Sequence, residues 1–218
     1  MKSNSLNLGL PAPIWPSKQE LTPSERSQRA AQRQGIQVHA VIGRIAEKAQ
    51  GASLDELDRL VTEALTEVVV GRENGNLRRA RTRVSGLIHQ YVRIFLPPPG
   101  VEFHGSEVPI TGGRADLLWR HPSQGWFFDE VKTFRFGTDD DYEYRPQVTK
   151  YLAAGRALSG EFAGVRLIFA GVRLIALGNT KACRLYTPDG LTGPLTDSVL
   201  APSSIESTLA NPRSEGMA

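Results

Sequence analysis

The chain has 218 residues, of which 40% are apolar and 22% charged. These proportions are ordinary for a globular protein and suit one domain of moderate size with a helical appendage. A single cysteine, Cys183, excludes an internal disulfide and any single-chain four-cysteine zinc or iron–sulfur site, and a net charge of +3 is compatible with a polyanionic partner without requiring one.

Residues 1–21 are rich in Pro and Ser, lack periodicity and hold no sustained apolar segment, so they read as a loose arm rather than a secretory signal. Thr22-Pro23-Ser24-Glu25 is a capping box with Pro at the first helical position, which predicts a helix running to about Gln50 and ended by Gly51. Within it Ile36, His39, Ile42 and Gly43 share a face by three-to-four spacing, so His39 is expected to point towards the core. A lone inward histidine is either a satisfied core residue or a metal ligand, and spacing alone leaves both open. Ser53 and Glu56 form a second capping pattern before a helix closing near Gly71, with Leu57, Leu60, Val61, Ala64, Leu65 and Val68 as its packing face.

A third helix is expected from about Leu77 to Leu96, stopped by Pro97-Pro98-Pro99. It carries Arg78, Arg79, Arg81, Arg83 and Arg93 with no acidic residue between Leu77 and Leu96. Such a face holds a phosphate backbone or is merely solvated. From Val101 the pattern turns to strands: Val101 to Ile110, then a turn at Thr111-Gly112-Gly113.

The next stretch concentrates the chemistry. Leu117, Leu118 and Trp119 follow Asp116, while Trp126, Phe127 and Phe128 lead into Asp129-Glu130-Val131-Lys132. Both runs have strand character, and the turn residues at 121–125 between them predict a hairpin. Alternation along the strand sends Glu130 and Lys132 to one side and Asp129 and Val131 to the other, and the hairpin partner brings Asp116 beside Glu130. Carboxylates converging there suit Mg2+ or Mn2+, and an adjacent lysine can orient or deprotonate a water or neutralise charge on a phosphate. Alone, a Glu-x-Lys on a strand is a solvated ion pair worth little. The aromatic run before it, the Gly-x-x-Asp on the preceding strand and the Gln-x-x-x-Tyr after it set this one apart.

An acidic loop follows at 139–144, read as a solvated loop or a device repelling the wrong part of a polyanionic substrate. Pro146 sits near the start of a helix ending at Gly160, on which Gln147 and Tyr151 share a face and can hydrogen-bond a carboxylate, a water or a phosphate. Gly164 to Leu177 reads as a long buried strand, broken or bulged at Gly171. It is the most apolar stretch, but Arg166 and Arg173 interrupt it, so no membrane span is expected. Lys181 to Thr187 reads as a last strand, and everything after Pro188 as peripheral.

The pattern Gly113-Arg114-Ala115-Asp116, Glu130-Val131-Lys132 and Gln147-Val148-Thr149-Lys150-Tyr151 resembles the PD-(D/E)XK nuclease superfamily, most of all its RecB-like branch, which includes lambda-exonuclease-type enzymes. The resemblance covers roughly residues 34–187, with Ala115 where the superfamily name has Pro. It implies that Asp116 and Glu130 bind the metal with the Val131 carbonyl, that Lys132 is catalytic, that Gln147 and Tyr151 line the site, and that His39 supplies the upstream histidine. With one cysteine, the chain would fall among the branch's members without an iron–sulfur cluster. The implied fold is a mixed α/β (α+β) restriction-endonuclease-like core with a central mixed sheet flanked by helices. The division follows as an arm at 1–21, a helical region at 22–100, a nuclease core at 101–190 and a peripheral tail at 191–218.

The leading expectation is a cytoplasmic, Mg2+- or Mn2+-dependent deoxyribonuclease with DNA as partner, acting as exo- or endonuclease in repair, recombination or defence. A helicase, recombination or immunity protein is the expected kind of protein partner. One alternative keeps the chemistry in a toxin or antiphage effector, with the arm as a delivery segment. Another is a nucleic-acid-binding module that keeps the fold without catalysis.

Overall fold

Helix α1 (Pro23–Ala49) begins where the sequence places it. Thr22 Oγ1 accepts the Glu25 N–H at 3.2 Å, and the Glu25 carboxylate accepts the Thr22 N–H at 2.7 Å, so reciprocal bonds close the first turn. At the other end Gly51, with φ +72, takes the left-handed conformation that terminates helices. The computed structural model describes residues 22–70, 75–133, 144–158, 160–162, 165–190 and 192–195. The N-terminal arm, the acidic loop apart from Tyr144, and the tail beyond Leu195 lie outside the described residues. Among the described residues no helix is long and apolar enough to cross a membrane.

The inward face of α1 is Val38, Val41, Ile42, Ile45, Ala46 and Ala49. Ile36 is not part of it: this side chain is 62% exposed, and His39 lies at the border of the stripe rather than within it. The three-to-four rule fits Val38 with Val41 and Ile42 as well as it fits Ile36 with His39, and packing decides between the two faces. Helix α2 (Leu54–Val68), capped by Ser53, buries Leu57, Leu60, Val61, Ala64 and Leu65, as the sequence predicts. Helix α3 (Gly75–Gln90) is shorter than expected, because the chain widens into a π-turn at Tyr91–Phe95 before Leu96 and the prolines end it. The Leu96 N–H reaches back to the Tyr91 carbonyl at 3.0 Å, and this wider turn buries Tyr91, Val92 and Phe95 together.

The strands β1 (Glu102–Ile110), β2 (Gly113–His121), β3 (Gly125–Lys132), β6 (Phe169–Ala176), β7 (Arg184–Tyr186) and β8 (Thr192–Pro194) form a six-stranded sheet in the order β1-β2-β3-β6-β7-β8. All neighbours are antiparallel except β3 and β6, whose parallel pairing requires a crossover, supplied by α4 (Arg145–Leu158). The mixed sheet flanked by helices is the expected fold class.

The long strand expected at 164–177 is instead two pieces. Strand β5 (Val165–Leu167) turns back to pair with β4 (Gly160–Phe162), and the break falls at Ile168, not Gly171. The Ile168 carbonyl accepts the Trp126 N–H at 2.7 Å, so the chain bends there to enter the main sheet. Gly171 stays inside β6, where a Cβ would lie 2.3 Å from the Tyr186 carbonyl oxygen; close passage of backbone, not a break, is what this glycine permits. The last strand also differs. A 3-10 turn at Thr180–Ala182 precedes β7, and beyond Pro188 the chain adds β8 and buries Leu195. Three residues with one apolar neighbour carry no alternation to read.

The core lies on both faces of the sheet. Phe127 and Val131 pack with α1, α2 and α3, whereas Phe128 packs with Val148 and Tyr151 of α4. On the first face Arg173 grips Asp129 through Nε and an Nη, both at 2.6 Å, while Tyr91 (2.8 Å) and the Trp119 indole N–H (3.1 Å) donate to the same carboxylate. This group is fully buried. Burial and then the Asp129 charge push the Tyr91 hydroxyl well above the ordinary phenol range, so it remains a donor.

Candidate active site

Alternation along β3 separates its acidic neighbours as expected. Asp129 goes to the helical face, where Arg173, Tyr91 and Trp119 saturate it, and Glu130 goes to the face covered by α4. The site lies where β2 and β3 part. Their pairing ends at Leu117↔Asp129, while β3 continues beside β6 as far as Lys132↔Ala176. The Val131 N–H would be orphaned by that parting, and Asp116 Oδ2 accepts it at 2.7 Å. A side chain thus replaces the missing backbone acceptor and fixes Asp116 at the mouth of the gap.

His39 reaches the same point from α1. Its Nε2 lies 2.8 Å from the Val131 carbonyl and its Nδ1 3.2 Å from Asp116 Oδ1. The approach depends on Gly43, one turn further along α1, where a Cβ would sit 2.7 Å from Ser106 of β1. Since a carbonyl only accepts, Nε2 carries a proton, and a neutral ring then turns its Nδ1 lone pair towards a carboxylate. Burial by itself lowers the affinity of His39 for a proton, but Asp116, the Val131 carbonyl and Glu130 outweigh it and raise the pKa above the ordinary imidazole value.

On the other side of Asp116, Glu130 is 1% exposed. Its Oε1 accepts from Lys132 Nζ and from Gln147 Nε2, the latter at 2.8 Å. Gln147 Oε1 also accepts from Lys132 Nζ at 2.9 Å, so one amide holds both members of the ion pair. Its Nε2 touches the Tyr151 oxygen at 2.7 Å, and the Tyr151 hydroxyl donates to the Arg114 carbonyl at 2.5 Å, fastening α4 to β2. Burial first, then the Glu130 charge, raise the Tyr151 pKa far above that of free phenol, which makes it a donor and not a base. Lys132 Nζ lies 5.0 Å over the Tyr144 ring, adding a cation–π contact.

The residues present fit a divalent cation. Glu130 Oε2 is buried without a hydrogen-bond partner, an arrangement that carries the full desolvation penalty of a charged oxygen. Burial and the Asp116 charge raise the Glu130 pKa, as expected where carboxylates share a site that no cation neutralises. Asp116, Glu130, the Val131 carbonyl and the His39 ring would hold the ion, and carboxylate and carbonyl oxygens with one imidazole suit Mg2+ or Mn2+.

The arginines of α3 stand apart from this cluster. Arg78, Arg79 and Arg83 are exposed on a helix that packs chiefly on α1 and α2, and Arg81 donates to the Val69 carbonyl at 3.2 Å. One acidic residue not singled out from the sequence lies close. A carboxylate oxygen of Glu107 on β1 falls within 4.8 Å of ligand atoms of both His39 and Asp116. Only the β1–β2 register, displaced by a bulge between Phe103 and Gly105, places it there, so spacing along the chain holds no signal for it.

A search of curated proteins finds no match to the chain. A family model described as the PD-(D/E)XK nuclease superfamily matches residues 14–189. That match spans the helix bearing His39, the parted strands and the helix bearing Gln147 and Tyr151. The chain belongs to the PD-(D/E)XK nuclease superfamily.

Proposed function

We propose that the protein is a cytoplasmic deoxyribonuclease of the RecB-like kind that hydrolyses phosphodiester bonds with Mg2+ or Mn2+. The observation that carries this reading is the buried, unpartnered Glu130 Oε2 beside Asp116, with Lys132 held at the other oxygen. The upstream His39 and the Gln147–Tyr151 pair, both drawn onto this cluster, support the RecB-like assignment.

A divalent cation bound there polarises the scissile phosphate and stabilises charge on the leaving oxygen. The chain's own groups do the rest. Asp116 and Glu130 supply negative oxygens from adjacent strands, so the spacing between them is set by the sheet. Lys132 positions the attacking water and neutralises charge developing on the phosphate. Gln147 fixes the Lys132 ammonium relative to Glu130, and Tyr151 keeps α4 against β2 so that neither drifts. The exposed arginines of α3, Arg78, Arg79 and Arg83, are available to a phosphate backbone as it approaches. A helicase, recombination or immunity protein would be the recruiting partner.

The test uses linear and covalently closed circular DNA with Mg2+, Mn2+ or EDTA, and Lys132→Ala alongside. Metal-dependent cleavage, lost by at least ~1,000-fold in the variant at unchanged fold content, is the expected result. Loss of linear DNA alone identifies an exonuclease, and loss of both forms an endonuclease. Full activity in Lys132→Ala would overturn the mechanism, and metal-independent DNA binding without cleavage would favour a non-catalytic module.

A further inference from the structure

We propose that Glu107, with His39 and Asp116, forms a second divalent-cation position that shares Asp116 with the one between Asp116 and Glu130. The inference rests on the metal-dependent reading of the site given above. The pairs Ser106↔Leu117 and Val108↔Ala115 bracket Glu107 directly across from Asp116 on the antiparallel neighbour. Like charges opposite one another on adjacent strands repel. Among the described residues no hydrogen bond or ion pair offsets the Glu107 charge. Ligand atoms of His39, Glu107 and Asp116 nevertheless lie within 4.8 Å of one another, in a set that does not include Glu130.

The groups in that set offer lone pairs to one another rather than protons. With Nε2 given to the Val131 carbonyl, His39 presents Nδ1; Asp116, with Oδ2 given to the Val131 N–H, presents Oδ1; Glu107 presents a free carboxylate. A cation resolves all of these contacts together. Next to them, and independently, Glu130 Oε2 is buried without a partner, so the charge deficit extends to both sides of Asp116. Glu107 is also the one non-glycine residue of the described chain at positive φ, 51°, just past the bulge at Phe103/Gly105. Bulges and left-handed residues re-aim side chains within a strand, and here the one re-aimed is a carboxylate facing the site. With an imidazole in the set, Mn2+ is the favoured occupant over Mg2+.

The experiment counts Mn2+ bound to the full chain, by the loss of the free-ion electron paramagnetic resonance signal and by calorimetry. Thermal unfolding with and without Mn2+ runs in parallel. Wild type is expected to bind two ions, Glu107→Gln one, and Glu107→Gln to keep most of the remaining affinity. Glu107→Gly, which suits the left-handed backbone, is the second variant. It is expected to unfold at a higher temperature than wild type in EDTA and to show a smaller Mn2+-induced shift. Unchanged stoichiometry in both folded variants overturns the proposal. A single ion in wild type, lost in Glu130→Gln and kept in Glu107→Gln, overturns it while leaving the nuclease reading intact. No Mn2+ bound by wild type overturns both.

Discussion

At the scale of single residues, adjacent acids in one tetrapeptide have opposite fates. Asp129 is saturated by donors and neutralised by Arg173, whereas Glu130 is left with an unpartnered oxygen. The alternation that separates them is legible in the sequence, because period two on a strand leaves no other arrangement. The partner of Asp129 is not legible, since Arg173 lies forty-four positions away and the register between β3 and β6 brings them together. Glu107 is hidden for the same reason. Cys183 makes a checkable contrast with these charged groups. Burial pushes its thiol up to about 11, above the ordinary cysteine value. It is therefore expected to resist thiol reagents at pH 8 in the native protein and to react fully in denaturant, followed by absorbance of the released chromophore. Rapid reaction of native protein would show that the β6–β7 region opens.

Among the elements, the contact between α1 and β1 decides whether His39 reaches the site. A helical Gly→Ala change ordinarily gains about 1 kcal/mol. At Gly43 the new Cβ would meet Ser106 at 2.7 Å, and relieving that overlap requires the helix or strand to move. Overpacking of this kind typically costs ~1–3 kcal/mol, so the clash wins. Gly43→Ala is expected to lower the thermal midpoint and weaken the Mn2+-induced shift, and Ser106→Gly in the same chain to recover part of both. Lack of recovery would mean that α1 is held elsewhere. The sequence announces α1 at its capping box but not this close approach, because Gly43 has no periodicity of its own and its neighbour lies on a distant strand. The break at Ile168 and strand β8 are unreadable for a related reason: both are set by pairing partners rather than by local pattern.

For the whole molecule, the Asp129–Arg173 pair joins β3, β6 and the π-turn after α3, since an Arg173 Nη also donates to the Phe95 carbonyl at 3.1 Å. It therefore holds the helical layer to the strand that bears Glu130 and Lys132. Breaking one partner of such a pair typically costs ~3–5 kcal/mol, a large part of a total stability of ~5–15 kcal/mol. Arg173→Leu is expected to lose that much in urea unfolding, with hydrogen exchange rising along β3 and β6 together. A loss under ~1 kcal/mol would show that the pair contributes little beyond its own desolvation.

The Asp116 carboxylate has one oxygen in the sheet and one in the site, and this bears on how the enzyme can be silenced. Truncation to alanine would strip the reaction centre and also leave the Val131 amide unsatisfied, a defect of ~1–3 kcal/mol. Loss of activity in that variant would confound chemistry with a seam opened between β2 and β3. An asparagine, whose amide oxygen can still accept that N–H, changes the charge and keeps the seam closed. In this protein the cleanest way to remove the acid is to leave its shape in place.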